Sequence, residues 1–181
     1  MMHGDRPNVI MRIANAVSSE EGEMSIFPTK ILLAIDGSSE AELATRTAVD
    51  LGKQTNSELH VIHVLDSVPT ALLYPEATDP EGVEQPDPNL VEDLERHAEQ
   101  RGREVLDAEV ERVRLAGGTV AQAHLKMGDA AREIVHLAGD IEAGLVVMGS
   151  RGRGGISRAL MGSVSDSVVR HAHCPVLVVR E

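Results

Sequence analysis

Tryptophan is absent from this chain, and Phe27 and Tyr74 stand alone as its phenylalanine and tyrosine. A core without aromatics must be built from Val, Ile, Leu, Ala and Met. Such a core suits a buried parallel sheet flanked by helices. The same lack counts against nucleic-acid modules that stack bases on aromatic rings. Lysine is scarce, limited to Lys30, Lys53 and Lys126. Cys174 is the single cysteine, so no intrachain disulfide can form, and a reducing compartment is the default expectation. No apolar run approaches the roughly 18 residues needed to span a membrane. The start does not read as a signal peptide: Val9-Ile10-Met11 is broken by Arg12, and Glu20, Glu21 and Glu23 follow. A cytoplasmic location is expected.

What is present fits one α/β domain. The chain has 181 residues, 42% of them hydrophobic, and a net charge of -12. An acidic surface repels phosphate backbones and anionic membranes, so neither partner is expected. Abundant acids, with Arg favoured over Lys, resemble the composition of proteins from salt-loving organisms; a GC-rich genome produces the same Arg bias.

Residues 1–27 show no period that feeds the pattern downstream and read as an N-terminal tail. Val9, Ile10, Ile13 and Val17 would suit a short amphipathic helix, and Met24 is an alternative start. From residue 28 onward a single domain is expected. Ile31 to Ile35 is a short apolar run, read as a buried strand. Ser39 with Glu42 fits a capping box opening a helix to about Gln54. Leu59 to Leu65 is a second strand. Pro69, Pro75, Pro80, Pro86 and Pro88 mark 66–89 as a long irregular loop, of a length usually functional or disordered. Leu90 to Ala116 reads as a helix weakened by Gly102. Val120 to Leu125 is a strand, Asp129 caps another helix, and Leu145 to Met148 is an apolar, central strand. Ser163 with Asp166 fits a second capping box, and Val176 to Val179 is the last strand. Alternation of this kind implies a parallel sheet with helices on both faces.

One segment carries the chemistry. Gly149, Ser150, Arg151 and Gly152 follow a buried strand, and Gly162 and Ser163 open a helix. Glycine lets backbone N–H groups turn toward a ligand, and a helix start adds unpaired donors and the positive end of a dipole. Arg151, Arg153 and Arg158 bring positive charge into an acidic chain. Two commoner nucleotide loops are excluded: no Gly-Lys-Ser/Thr ending exists, and Ile156-Ser157 spoils the G-x-G-x-x-G begun at Gly152. In an open parallel sheet, ligands bind beyond the strand C-termini where strand order reverses. Asp36 and Gly149 would then face one crevice, where a carboxylate suits a ribose hydroxyl or an adenine amine; turn formation by Asp36-Gly37 is the alternative.

These residues resemble the universal stress proteins of the ATP-binding type. Gly149, Gly152, Gly162 and Ser163 meet the motif G-x2-G-x9-G-[ST]. The segments Lys30–Ser38, His63-Val64 and Cys174–Val179 also resemble the family. The resemblance covers about 28–181 apart from the Pro-rich loop. It implies a Rossmann-like, adenine-nucleotide α-hydrolase-like sheet of five parallel strands in the order 3-2-1-4-5. It implies that Ala34, Asp36, Val64, Met148 and Gly149 line an adenosine site. Gly152, Gly162, Ser163, Val164 and Ser165 would hold phosphates, with Arg151 among the binding residues. The ligand would be ATP, or AMP or ADP, with Mg2+ or Mn2+ bridging phosphates rather than held in a protein cage. It also implies a homodimer through the last strand, 176–180, whose bare edge would otherwise be a liability.

His171, His173 and Cys174 lack known zinc spacing and are set aside as a metal site. His60 and His63, on opposite faces of one strand, read as packing residues. No nucleophile with a partnered base and no catalytic carboxylate pair emerges. The expected function is a nucleotide-dependent stress or signalling module. The alternatives are a slow nucleotide hydrolase or nucleotidyl transferase, although an H-x-G-H motif is missing, or a dimeric interaction protein with an empty crevice.

Overall fold

The computed structural model describes residues 8–12, 28–66, 88–152 and 161–180. Its strands are β1 (Asn8–Arg12), β2 (Lys30–Ile35), β3 (Glu58–Leu65), β4 (Val120–Met127), β5 (Leu145–Gly149) and β6 (Val176–Arg180). Its helices are α1 (Ser39–Thr55), α2 (Pro88–Leu115), α3 (Ala130–Asp140) and α4 (Ser163–His171). The sheet runs β1-β6-β5-β2-β3-β4. Counting only the five parallel strands in chain order, this is the expected 3-2-1-4-5.

Strand alternation divides the core. Leu32, Ala34, Ile62, Val146, Met148, Val176 and Val178 meet α3 and α4 on one face. Ile31, Leu33, Ile35, Leu59, Val61, Val147 and Val179 meet α1 and α2 on the other. Because both faces are covered, the central strands are apolar at every position rather than at every second one. Gly102 in α2, expected to weaken the helix, has a packing reason. A Cβ there would sit 2.5 Å from Leu65 Cδ2, so glycine lets α2 settle on the sheet without moving that leucine.

Three sequence expectations are corrected. Asn8–Arg12, within the expected tail, is a strand paired antiparallel with β6, from Asn8↔Arg180 to Arg12↔Val176. Val9 and Ile10 are therefore extended rather than helical; Ile13, Val17 and Met24 lie outside the described residues. The edge of 176–180 assigned to a second copy is taken by the chain itself. Finally, both capping boxes are shifted by one residue. Ser38, not Ser39, caps α1, accepting the Ala41 N–H at 3.2 Å. Gly162, not Ser163, is the N-cap of α4 and offers no side-chain bond. Asp129 caps α3 as expected, accepting the Arg132 N–H at 2.8 Å. Most of the Pro-rich loop, 67–87, lies outside the described residues.

Candidate functional site

β2 and β5 are neighbours, with Ala34 opposite Met148. Between them the strand order reverses: the connection after β3 leads outward to β4, and the one after β5 leads to β6 on the other side. A cavity of about 540 Å³ opens above their C-terminal ends. That size falls within the range of small-molecule sites, about 300–1,000 Å³.

All the residues assigned to binding from sequence line this cavity. Ala34, Val64 and Met148 form its apolar floor, joined by Ile62 of the same sheet face and Ile134 of α3. Asp36 stands on one side. Its Oδ1 accepts the Ser38 N–H at 3.0 Å, an Asx turn that steers the chain from β2 into α1. Turn formation and a place at the cavity, weighed as alternatives from sequence, are both true of this carboxylate. Gly149, Arg151, Gly152, Gly162, Ser163, Val164 and Ser165 form the opposite wall.

The two arms of this wall are clipped together. The Ser150 carbonyl accepts the Gly162 N–H at 2.8 Å and the Ser165 hydroxyl at 2.8 Å. The Ser150 N–H in turn donates to the Val179 carbonyl at 2.8 Å, tying the loop to β6. Gly152 lies so close to Asp36 that a Cβ there would be 2.4 Å from its Oδ2. Only glycine fits without displacing that carboxylate.

Geometry alters two expected roles. The Ser165 hydroxyl is turned into the loop and 97% of the residue is hidden, so what Ser165 can offer a ligand is its backbone N–H. The Arg151 guanidinium is not a loose positive charge: its Nη2 lies 2.5 Å from Glu40 Oε1. Arg153 and Arg158 lie outside the described residues. What positive potential the described wall offers therefore comes from the start of α4. Its N-cap, Gly162, has no side chain to give, and its first-turn N–H groups have no partner within the helix.

Several lining residues escaped the sequence reading: Ile35, Ile62, His63, Leu65, Asp66, Ala130 and Ile134. The rule that ligands sit past strand C-termini would have named Asp66, the residue after β3. His63 Nδ1 donates to the Ile35 carbonyl at 3.0 Å, which binds the two strand ends together. Ala130 and Ile134 had no signal, because only the packing of α3 brings them in.

Of the groups set aside, Cys174 and His60 are packing residues, whereas His171 and His173 are exposed. Cys174 is buried, and burial pushes its thiol pKa up. His60 stacks on His124, with His60 Nδ1 3.3 Å from His124 Nε2. Burial, then the neighbouring His60 and Lys126, hold the His124 pKa below its usual value. Among the described residues no three His, Cys, Asp or Glu side chains are grouped to hold a metal, and no helix is long and apolar enough to cross a membrane.

Comparison with known proteins agrees with this geometry. Residues 28–180 match the Universal stress protein family. A universal stress protein of Methanocaldococcus jannaschii is 32% identical over 152 residues, covering 84% of this chain and 82% of its own. One from Staphylococcus saprophyticus is 36% identical over 151 residues, covering 83% and 82%. Among solved structures, the universal stress protein UspA from Lactobacillus plantarum superposes with a TM-score of 0.66 at 22% identity, covering 84% of this chain and 97% of its own. A universal stress protein in complex with cAMP gives 0.59 at 22% identity, covering 84% and 97%. The Archaeoglobus fulgidus protein in complex with dAMP gives 0.56 at 22% identity, covering 83% and 97%. At such identities the structural likeness speaks for the fold alone.

Proposed function

The chain belongs to the universal stress protein family, and on that premise we propose that it binds an adenine nucleotide, ATP foremost, as a nucleotide-dependent stress-response module. One observation carries this reading. The start of α4, whose N-cap has no side chain, and Asp36 line one cavity at the switch point of the sheet. The phosphates would take the N–H groups of Ser163, Val164 and Ser165 and the exposed Ser163 hydroxyl, with Gly152 leaving room for them. The nucleoside would lie on Ala34, Val64 and Met148, its ribose or amine within reach of Asp36. Family members solved with cAMP and dAMP support the choice of an adenine ligand.

A divalent ion accompanying the phosphates would be held chiefly by the nucleotide. Among the described residues, Asp36 and Asp66 are the carboxylates lining the cavity, too few for a cage of protein ligands. A signalling role fits the position of Asp66, which leads directly into the 67–87 segment, so occupancy of the cavity acts where that segment begins. Association of two copies through 176–180 requires each to release or exchange β1, which occupies that edge. Sedimentation of the full chain against a chain starting at residue 28 tests this: equal association by both removes β1 from the equilibrium.

Isothermal titration of the full chain with ATP, AMP, cyclic AMP and adenosine tests the binding claim. ATP is expected to bind more tightly than adenosine. No heat from any of the four would sink the proposal.

A further inference from the structure

Glu40 is the second residue of α1, and only 7% of it is exposed. A carboxylate that deep is costly unless every lone pair finds a donor. Here both oxygens are taken. Oε2 accepts the Ser150 hydroxyl at 2.8 Å and the Arg151 N–H at 2.6 Å, and Oε1 faces Arg151 Nη2 at 2.5 Å. Gly149 packs on the same side chain: a Cβ there would be 3.0 Å from Glu40 Cβ. A single side chain thus touches three consecutive residues at the start of the loop, and its carboxylate bonds two of them, Ser150 and Arg151.

The helix beneath it is fixed. Ala41, Ala44 and Ala48, next along α1, are essentially buried in the core beside β2, β5 and β6. From Glu40 the bonds continue: Ser150 receives Gly162 N–H and Ser165 Oγ through its carbonyl, and Gly162 is the N-cap of α4. A path of charged and neutral hydrogen bonds therefore runs from the core through Glu40 to the donors at the far wall.

We propose that Glu40 is the positioning residue of the phosphate wall, and that Arg151 serves it as a clamp rather than binding phosphate itself. This rests on the nucleotide reading above. Preformed donors bind an anion without first having to be ordered. Loosening the clamp would therefore weaken phosphate binding while leaving the nucleoside floor intact. Among the described residues Arg151 Nε is buried without a hydrogen-bond partner, and the ion pair of this guanidinium is the one with Glu40.

The test is titration of Glu40→Gln with ATP and with adenosine, each compared with the unsubstituted protein. An amide cannot face two N–H donors with both of its atoms, so at least one bond is lost. ATP affinity is expected to fall roughly 10- to 100-fold, the range for hydrogen bonds to charged groups, with adenosine affinity within about twofold. Arg151→Met should cost ATP a similar factor, and the double variant little more than either alone. Ser150→Ala removes one donor and keeps the ion pair, so it reads the same path with a milder loss if Glu40→Gln does not fold. If Glu40→Gln binds ATP as well as or better than the unsubstituted protein, Arg151 is a phosphate ligand restrained by Glu40, and the assignment is overturned. Losses that multiply in the double variant, or that fall equally on adenosine, overturn it too. Absence of binding by the unsubstituted protein overturns the nucleotide reading and this inference with it.

Discussion

The N-termini of α1 and α4 are finished in opposite ways, and the cavity is lined by Asp36, in the turn leading to α1, and by Ser163, Val164 and Ser165 of α4. At α1, Ser38 accepts the Ala41 N–H, and Asp36 accepts the Ser38 N–H. At α4, Gly162 has no side chain to give, and the nearby Ser165 hydroxyl is bonded to carbonyls instead. α3, whose first residue also lines the cavity, is capped by Asp129. Two helices thus satisfy one first-turn donor with a side chain at the cap, and the cap of α4 has none to offer. The contrast separates a helix start that stabilises the fold from one available to an anion.

The largest effect is expected where the two regions touch. Gly152→Asp would place a second carboxylate against Asp36 and fill the space between the walls. A loss of ATP affinity of about 100-fold or more is expected, since two close like charges disfavour an anionic ligand by several kcal/mol. Titration that gives unchanged affinity would remove Gly152 from the site. Next, Gly162→Ser would make α4 resemble α1. Its backbone is extended, with φ -67° and ψ 154°, which serine adopts freely, although the new Cβ would lie 3.3 Å from the Ser150 carbonyl oxygen, which must give slightly. The new hydroxyl would compete with phosphate for the first-turn N–H groups. Roughly tenfold weaker ATP binding is expected, with stability changed by only a few tenths of a kcal/mol. Equal ATP affinity would mean that these donors are not used.

The reverse exchange is smaller. Ser38→Ala strips the cap of α1 and should cost about 1 kcal/mol in chemical unfolding, with ATP affinity within about twofold. A large loss of binding would mean that the α1 start also serves the ligand. The smallest effect lies away from both. The depressed pKa of His124 favours its neutral form in the folded chain. Its stabilising contribution is therefore complete above the ordinary histidine pKa of about 6.5 and is lost as pH falls through the lower folded value. Unfolding midpoints should drop on acidification and drop less in His124→Gln, with ATP affinity the same for both at neutral pH. A pH slope identical in the variant would remove His124 as its source.

Much of this was legible in the order of residues. Short apolar runs between helical periods located the parallel strands, most clearly Ile31 to Ile35, Leu145 to Met148 and Val176 to Val179, because strands covered on both faces favour apolar side chains at every position. The spacing from Gly149 to Ser163 and the end of the first such run at Asp36 located the cavity walls, because loops at strand C-termini meet at the switch point. Other features were hidden for definite reasons. Glu40 looked like one more acid in a first helical turn; its burial depends on Ser150 and Arg151, some 110 positions away. Arg151 looked like a phosphate ligand for the same reason. Asn8–Arg12 has too little period to announce a strand, since an edge strand takes its hydrogen bonds from a neighbour that is remote in sequence.

By itself, then, the sequence determined the alternation of strands and helices, the glycine positions of the cavity wall and the aliphatic core. These depend on local periodicity, backbone freedom and side-chain volume, which neighbouring residues settle among themselves. Tertiary structure decided which donors remain for a ligand. Whether a hydroxyl, a guanidinium or a helix start is already satisfied depends on partners brought together only by folding. That is why Ser38 and Ser165 became structural and the bare start of α4 did not.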